Sequence, residues 1–481
     1  MDVEKEGILM NKNNEAIKQN KGLYKADNMN LFNNISKQCG KPERIVFHID
    51  VNSAFLSWEA CRRTNNDKTS VDLRNIPSVV GGSQENRHGI VLAKSTPAKK
   101  YGIQTGETLV SAKQKCPNLI VVSPNYELYV NCSRKLIELL RGLSPTVEQY
   151  SIDEAFVDFT GFEKLYGQPL LFAEELKNKI HRELGFTVNI GVSNNKLLAK
   201  MASDFKKPDR VHSLFPWEIQ DKMWNLPVGE LFYVGKKTEK KLLSLGITTI
   251  GELAKADKTM LHSIFKSHGD TIWNYANGND LEIVTDHQTE NKGYGNSITL
   301  SHDVTDSSTA KLVILSLTET VATRIRVDKA TISVVSISIV DADFNHYSRQ
   351  ATLLNATNTT SAIYEEACRI FDSLWNHNPI RQLGVNTGKA TKSQNYQYSI
   401  FDYAVNNQNS NANEISINFK PDENKLTKSE KLRNLDKAID DIRFKYGEDS
   451  VKRACFLKSG YNHMSGGLDK AKRTGVSGKE V

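Results

Sequence analysis

The apolar positions of this chain fall into two patterns. Short unbroken runs read as buried strands: Ile45–Ile49, which ends in Asp50, then Ile90–Ala93, Phe186–Val192 and the β-branched run Thr331–Val340, with a shorter strand at Gln350–Leu354. Runs with an apolar residue every third or fourth place read as helices. The first is capped by Asn52 or Ser53 and passes through Leu56, Trp58 and Ala60; others cover Leu136–Leu143 and Phe172–Leu184, the latter with Leu176, Ile180 and Leu184 on one face. Ser193 reads as the cap of a helix bearing Lys196 and Lys200, a charge run that on most helices is a solvated face. Late in the chain, Ile314, Leu317, Val321 and Ile325 mark one inward stripe and Ile363, Ala367, Ile370, Phe371 and Leu374 another. Leu432, Leu435, Ile439 and Ile442 lie on one stripe of a charged helix from Lys425 to Tyr446 that Gly447 stops. Between these lie polar stretches: residues 1–42, read as a flexible extension within which Met10 or Met29 is an alternative start, a linker near 286–291, another at 406–413, and a tail after Lys458 expected to be disordered.

Chemistry concentrates at one stretch, Tyr150-Ser151-Ile152-Asp153-Glu154-Ala155-Phe156-Val157-Asp158. Tyr150–Ile152 and Ala155–Phe159 read as two strands with adjacent carboxylates at the corner between them. On a straight strand Asp153 and Glu154 would point to opposite faces, whereas a tight corner lets them converge, and converging carboxylates repel unless a cation sits between them. With Asp50 at its strand end, three carboxylates are enough to hold two Mg²⁺ ions about 3.5–4 Å apart, the arrangement that stabilises in-line displacement at phosphorus. Magnesium suits such a site because it takes few carboxylates and completes its shell with phosphate oxygens and water.

Composition narrows the setting. A chain of 481 residues exceeds one core, and 39% hydrophobic residues suffice for several. No apolar run reaches the roughly 20 residues of a membrane span, and the first residues lack the apolar stretch of a secretory signal. Six cysteines without a C-x-x-C pair argue against a zinc site and suit a reducing cytoplasm. A net charge of +7 is compatible with a polyanionic partner.

Three segments in order, FHIDVNSAF, YSIDEAFVDFTG and VNIGVSNNKLLAKMASDFKKPD, resemble the Y-family (DinB/UmuC-like) translesion DNA polymerases, and the resemblance runs from about Ile45 to about Phe401. It implies an α+β, right-hand polymerase: a palm of antiparallel sheet and helices at 43–225 with small fingers inserted at about 64–122, a helix-hairpin-helix thumb at 226–288, a βαββαβ-like little finger at 289–390, and a tail at 391–481. It implies that Asp50, Asp153, Glu154 and the Val51 carbonyl hold two Mg²⁺ ions. Phe55, Thr96, Lys99 and Lys207 would meet the incoming dNTP; the family often has Tyr at the place of Thr96 and Arg at that of Lys99, so the hydroxyl and the charge are kept and the bidentate fork is lost. Val234, Gly235, Lys236, Lys237 and Asn296 would meet primer-template DNA, with Arg324 and Arg326 as further phosphate contacts. The usual G-x-G opening of the hairpin reads Tyr233-Val234-Gly235 here, one glycine short. Gln397, Ile400 and Phe401, in an Asn/Gln-rich stretch, resemble the peptide that binds the bacterial sliding clamp. The activity implied is low-fidelity, template-directed DNA synthesis by a cytoplasmic monomer. A palm-type nucleotide cyclase and a non-catalytic DNA-binding scaffold are the alternatives; the first gives no reason for a hairpin thumb or a clamp peptide, the second none for three intact carboxylates.

Overall fold

A computed structural model describes residues 44–67, 69–82, 89–286, 290–392, 428–457 and 459–465. It divides into two compact units, one made of the chain up to Cys61 with Asn131–His287, the other of Arg62–Val130 with Gln288 onward. The strands in chain order are β1 Val46–Val51, β2 Ser78–Gly81, β3 Val91–Lys94, β4 Ile120–Val122, β5 Val147–Gln149, β6 Glu154–Asp158, β7 Val188–Ser193, β8 Val211–Ser213, β9 Gly295–Val304, β10 Ile332–Asp341, β11 His346–Thr357 and β12 Ile380–Gly388.

The first unit is built on a five-stranded sheet in the order β5-β6-β1-β7-β8, with β1 antiparallel to both its neighbours. Every residue of β1 is buried, so helices cover both faces, which is why its sequence reads as an unbroken apolar run. Phe47 stacks on Phe159 on one face, at 4.7 Å between ring centroids. On the other face, Gly191 lies so close under the helix Lys196–Asp204 that a Cβ there would sit 1.9 Å from the carbonyl oxygen of Ala199. That helix continues into a second core, where Leu197, Leu198 and Met201 pack with Val228, Leu231, Val234, Leu242 and Ile250. The helices Lys236–Ser244 and Ile250–Lys255 form the expected hairpin, joined through Gly246 in the left-handed region and a Thr249–Glu252 capping box.

Local expectations shift in two places. Tyr150–Ile152 is not a strand: the Oγ of Ser151 accepts from the N–H groups of Asp153 and Glu154, and this side-chain turn ends pairing at Gln149. The cap of the Lys196–Asp204 helix is Asn195, whose side chain accepts from Leu198 N–H at 2.8 Å, while Ser193 finishes β7.

The second unit contains a small sheet, β3-β2-β4, and a four-stranded sheet, β11-β10-β12-β9. The latter has the expected βαββαβ order, with the helices Ser307–Val327 and Thr360–Leu374 packed on Val335, Ile337, Ile339, Leu383 and Val385. β11 runs to twelve residues rather than the few expected.

The expected charged helix is present at Lys428–Tyr446, but it does not dock by its apolar stripe. Leu435 and Ile442 are 55% and 40% exposed, whereas Asp436 and Arg443 are buried. The helix docks by charge. Asp440 takes two hydrogen bonds from Arg326, Asp436 accepts the N–H of Thr360 at the start of a neighbouring helix, and buried Glu319 is shared by Arg443 and Arg453. Arg326 is thus committed inside the protein, and Arg324 donates to the carbonyl of Gly295, so neither is presented as a phosphate contact. Of the tail expected to be disordered, residues 459–465 are packed, with Ser465 N–H donating to Ser316 Oγ at 2.7 Å, and residues 466–481 lie outside the described residues. Replacing Arg326 with Ala strands two poorly exposed carboxylates and should weaken this docking by about 3 kcal/mol. Hydrogen exchange should then quicken across 428–446 but not in β10 and β12; unchanged exchange would show that the pairs carry no docking energy.

Candidate active site

Three strands meet at one corner of the first sheet. Asp50, the penultimate residue of β1, is the direct partner of Glu154 on β6 and of Asn189 on β7, so the three side chains share a face. Asp153 closes the turn beside them, and its carbonyl accepts the N–H of Val51 at 3.1 Å. The predicted carboxylates and Val51 are therefore brought together, although each acid has its own partner. Lys207 Nζ lies 2.7 Å from Asp50 Oδ2 and 2.7 Å from Asp204 Oδ1. Lys200 Nζ lies 2.7 Å from Glu154 Oε1, and Ser151 Oγ donates to Asp153 Oδ1 at 2.7 Å.

Burial pushes the Asp50 carboxyl up to about 6, against the pull of Lys207. Burial acts on Lys207 in the opposite sense, but Asp50 and Asp204 outweigh it and lift the ammonium above its usual range. His48, fully buried on the same face with Nδ1 against Ser203 Oγ, is held well below the usual histidine range by burial and then by Lys200 and Lys207; it is neutral.

The residues fit a divalent cation by the chemistry of their donors, since all are hard carboxylate or carbonyl oxygens at one corner. The two ammonium groups stand in for the positive charge the corner demands. Among the described residues no three His, Cys, Asp or Glu side chains already converge as a metal cage, so a cation would have to draw the acids inward and displace Lys207.

The other predicted residues are distributed as follows. Phe55 is half-buried in the first turn of the helix Ala54–Asn66, its ring centroid 6.0 Å from that of Trp58. Thr96 and Lys99 are exposed on the short helix Thr96–Lys100, which Ser95 caps, in the second unit. Gly235, Lys236 and Lys237 are exposed at the start of the helix Lys236–Ser244, where unpaired N–H groups suit a phosphate. Val234 differs: it is buried, and its N–H donates to the Leu231 carbonyl. Tyr233 takes the left-handed conformation, φ 78°, that the missing glycine would adopt. Asn296 is the partner of Val385 and so lies on the helix-covered face of its sheet, donating to the Ser465 carbonyl at 3.4 Å. The open face instead carries Ser297, Ser336, Ser338, Gln382 and Asn386. Gln397, Ile400 and Phe401 lie outside the described residues.

The roles of four residues escaped the sequence reading. Ser151 shapes the corner. Asn189 donates to the carbonyls of Ser203 and Lys206 and accepts from Arg210 N–H, fixing the turn that delivers Lys207. Lys196 and Lys200 are buried rather than solvated, and Lys196 pairs with Glu148 and Glu282. Their spacing of four, facing strands rich in acid, was the available signal.

Comparison with known proteins agrees with this geometry. The chain matches the impB/mucB/samB family over residues 49–204, the C-terminal domain of that family over 291–400, and its helix-hairpin-helix motif over 216–247. It is 44% identical over 416 residues to a DNA polymerase IV of Clostridium acetobutylicum, covering 86% of this chain and 98% of that one. It is 36% identical over 420 residues to a DNA polymerase IV of Acetivibrio thermocellus, with 86% and 98% covered, and 38% identical over 363 residues to DNA polymerase IV 1 of Bacillus subtilis, with 75% and 86% covered. The fold resembles a Y-family DNA polymerase chimera, Dbh-Dpo4(243-245)-Dbh, with a TM-score of 0.61 and 22% identity, over 73% of this chain and 100% of that one. Among the described residues no helix is long and apolar enough to cross a membrane. The chain belongs to the impB/mucB/samB family of Y-family DNA polymerases.

Proposed function

We propose that this chain is a template-directed translesion DNA polymerase that uses Asp50, Asp153 and Glu154 to add dNTPs to a primer 3′ end. The observation that carries the reading is the corner itself: Asp50 opposite Glu154, with Val51 tied to Asp153. Two Mg²⁺ ions, held by the three carboxylates and the Val51 carbonyl, would supply activation of the primer hydroxyl and charge neutralisation at the phosphates. The 3′-oxygen attacks the α-phosphorus, and the bond to the departing pyrophosphate breaks. Lys207, half-exposed and shared between two acids, is free to exchange Asp50 for the terminal phosphates of the dNTP. Thr96 and Lys99 add a hydroxyl and a charge to the triphosphate. Gly235, Lys236 and Lys237 hold a template or primer phosphate by amides at a helix start, without reading bases. The open sheet face of serine and amide side chains suits hydrogen bonding along a DNA groove. Templated extension of a primer by the purified protein tests the reading.

Gln397, Ile400 and Phe401 are proposed to dock on a bacterial sliding clamp, because apolar residues in a polar tail favour a partner that buries them. Deleting residues 397–401 should leave basal extension intact and remove stimulation by the clamp. Equal stimulation of both proteins would refute this. Six cysteines without a C-x-x-C pair suit a reducing cytoplasm; a monomer is the expected state.

A further inference from the structure

We propose that Lys200 is a positioning residue for the catalytic corner, holding Glu154 by one carboxylate oxygen while two aromatic rings hold the ammonium. The inference rests on the metal-site reading above. A lysine on a helix ordinarily reaches water, but Lys200 is 9% exposed. Burying an ammonium is costly unless it is paired. Among the described residues its one anionic partner is Glu154, at 2.7 Å through Oε1. The ammonium also lies over the rings of Tyr150, at 5.3 Å, and Phe232, at 5.5 Å, within the range of cation–π attraction.

Each of these partners fixes something near the site. Tyr150 begins the turn that carries Asp153. Phe232 lies in the approach to Gly235–Lys237, and its N–H is 3.4 Å from the sulfur of Met201, the residue after Lys200. One buried charge therefore ties a catalytic carboxylate, the corner that presents it and the segment leading to the hairpin helix, all within the first unit. The two lysines at the corner differ in kind. Lys207 is on a turn, 31% exposed at its side chain and divided between two acids, so it can leave. Lys200 is on a helix buried from Lys196 to Ser203, 11% exposed at its side chain, and the bond it makes uses only Oε1, leaving Oε2 to a cation. Lys200 thus selects one rotamer of Glu154 and stays when the site is filled.

This role has a signature distinct from that of a metal ligand. A fixed positive charge opposes cation binding while it orients the acid. Removing it should slow the chemistry without raising the metal requirement. Single-nucleotide incorporation with saturating primer-template, at varied dNTP and Mg²⁺, compares wild type with Lys200→Met, Lys200→Arg and Asp153→Ala. Lys200→Met keeps the stem under the rings and removes the charge. Its kcat should fall about 10²-fold, the cost of a small misplacement of a catalytic group, with the KM for dNTP within about threefold of wild type. The Mg²⁺ concentration for half-maximal rate should be unchanged or lower. Lys200→Arg should recover at least about tenfold of the loss. Thermal melting of each variant should stay close to wild type.

A Lys200→Met kcat near wild type beside an inactive Asp153→Ala would overturn this inference alone. So would activity restored by high Mg²⁺, an arginine variant no better than methionine, or a large loss of melting temperature, which would make the lysine structural. Near-normal activity in Asp153→Ala would remove the metal-site reading, and this inference with it.

Discussion

Asp153→Ala or Glu154→Ala is expected to lower primer extension by several powers of ten while DNA binding survives. The two acids occupy the turn and the first residue of β6, and Asp50 faces Glu154 across the strand pair, so each replacement removes a proposed metal ligand from the same corner. DNA contacts are assigned elsewhere, to the hairpin helix start and to the open sheet face, and should not feel the change. Asp153→Ala should leave the fold intact, since its side chain is half-buried and, among the described residues, bonds only to Ser151 in its own turn, whereas Glu154→Ala strands the buried Lys200 ammonium and should lower thermal stability. Single-turnover incorporation and equilibrium DNA binding, measured on the same preparations, separate the two effects. Near-normal incorporation by either variant would remove the metal assignment.

Phe55→Ala is expected to raise ribonucleotide incorporation about tenfold or more, since relieving a clash worth even ~1.4 kcal/mol has that effect. Phe55 lies five residues beyond Asp50, in the first turn of the helix that follows β1. With Asp50 in its proposed role as metal ligand, that turn would pass close to the sugar of an incoming nucleotide, and the ring would exclude a 2′-hydroxyl by contact. Half-burial suits such a gate, with the ring centroid 6.0 Å from that of Trp58. Incorporation efficiencies for dNTP and rNTP, measured separately, decide the matter. A parallel fall in both would make Phe55 a packing residue.

Most of the catalytic corner was legible in the sequence because its acids interrupt apolar strands. A carboxylate at the end of a run such as Ile45–Ile49 is on its own usually structural, and it stands out here only together with the pair at 153–154. The βαββαβ order of 295–388 was legible for a related reason, since period-2 and period-3.6 patterns alternate cleanly there. The strand limits were less so. Pairing stops at Gln149 because of the Ser151 hydroxyl, a local hydrogen bond that no periodicity records. The buried lysines were hidden for a different reason: a cation on a helix reads as solvated until the acid opposite it is known, and that acid lies 46 residues away in the case of Lys200 and Glu154. The C-terminal helix was legible as a helix, but its manner of docking was not, because its apolar stripe obeys the usual rule while its burial does not. Its dock offers Glu319 and Arg326 rather than an apolar groove, so the charged face turns inward. Asn296 was misplaced by a single step of strand alternation, which decides between the helix-covered face and the open one.

The most direct measurement is extension of a labelled primer on a template of defined sequence, by the purified full chain with Mg²⁺ and one or all four dNTPs, with and without a chelator. The expected result is products that lengthen one nucleotide at a time as the template directs, require both primer and Mg²⁺, and vanish with Asp50→Ala. Products formed without a primer, products indifferent to template sequence, or no incorporation by a folded, DNA-binding wild-type protein would contradict it.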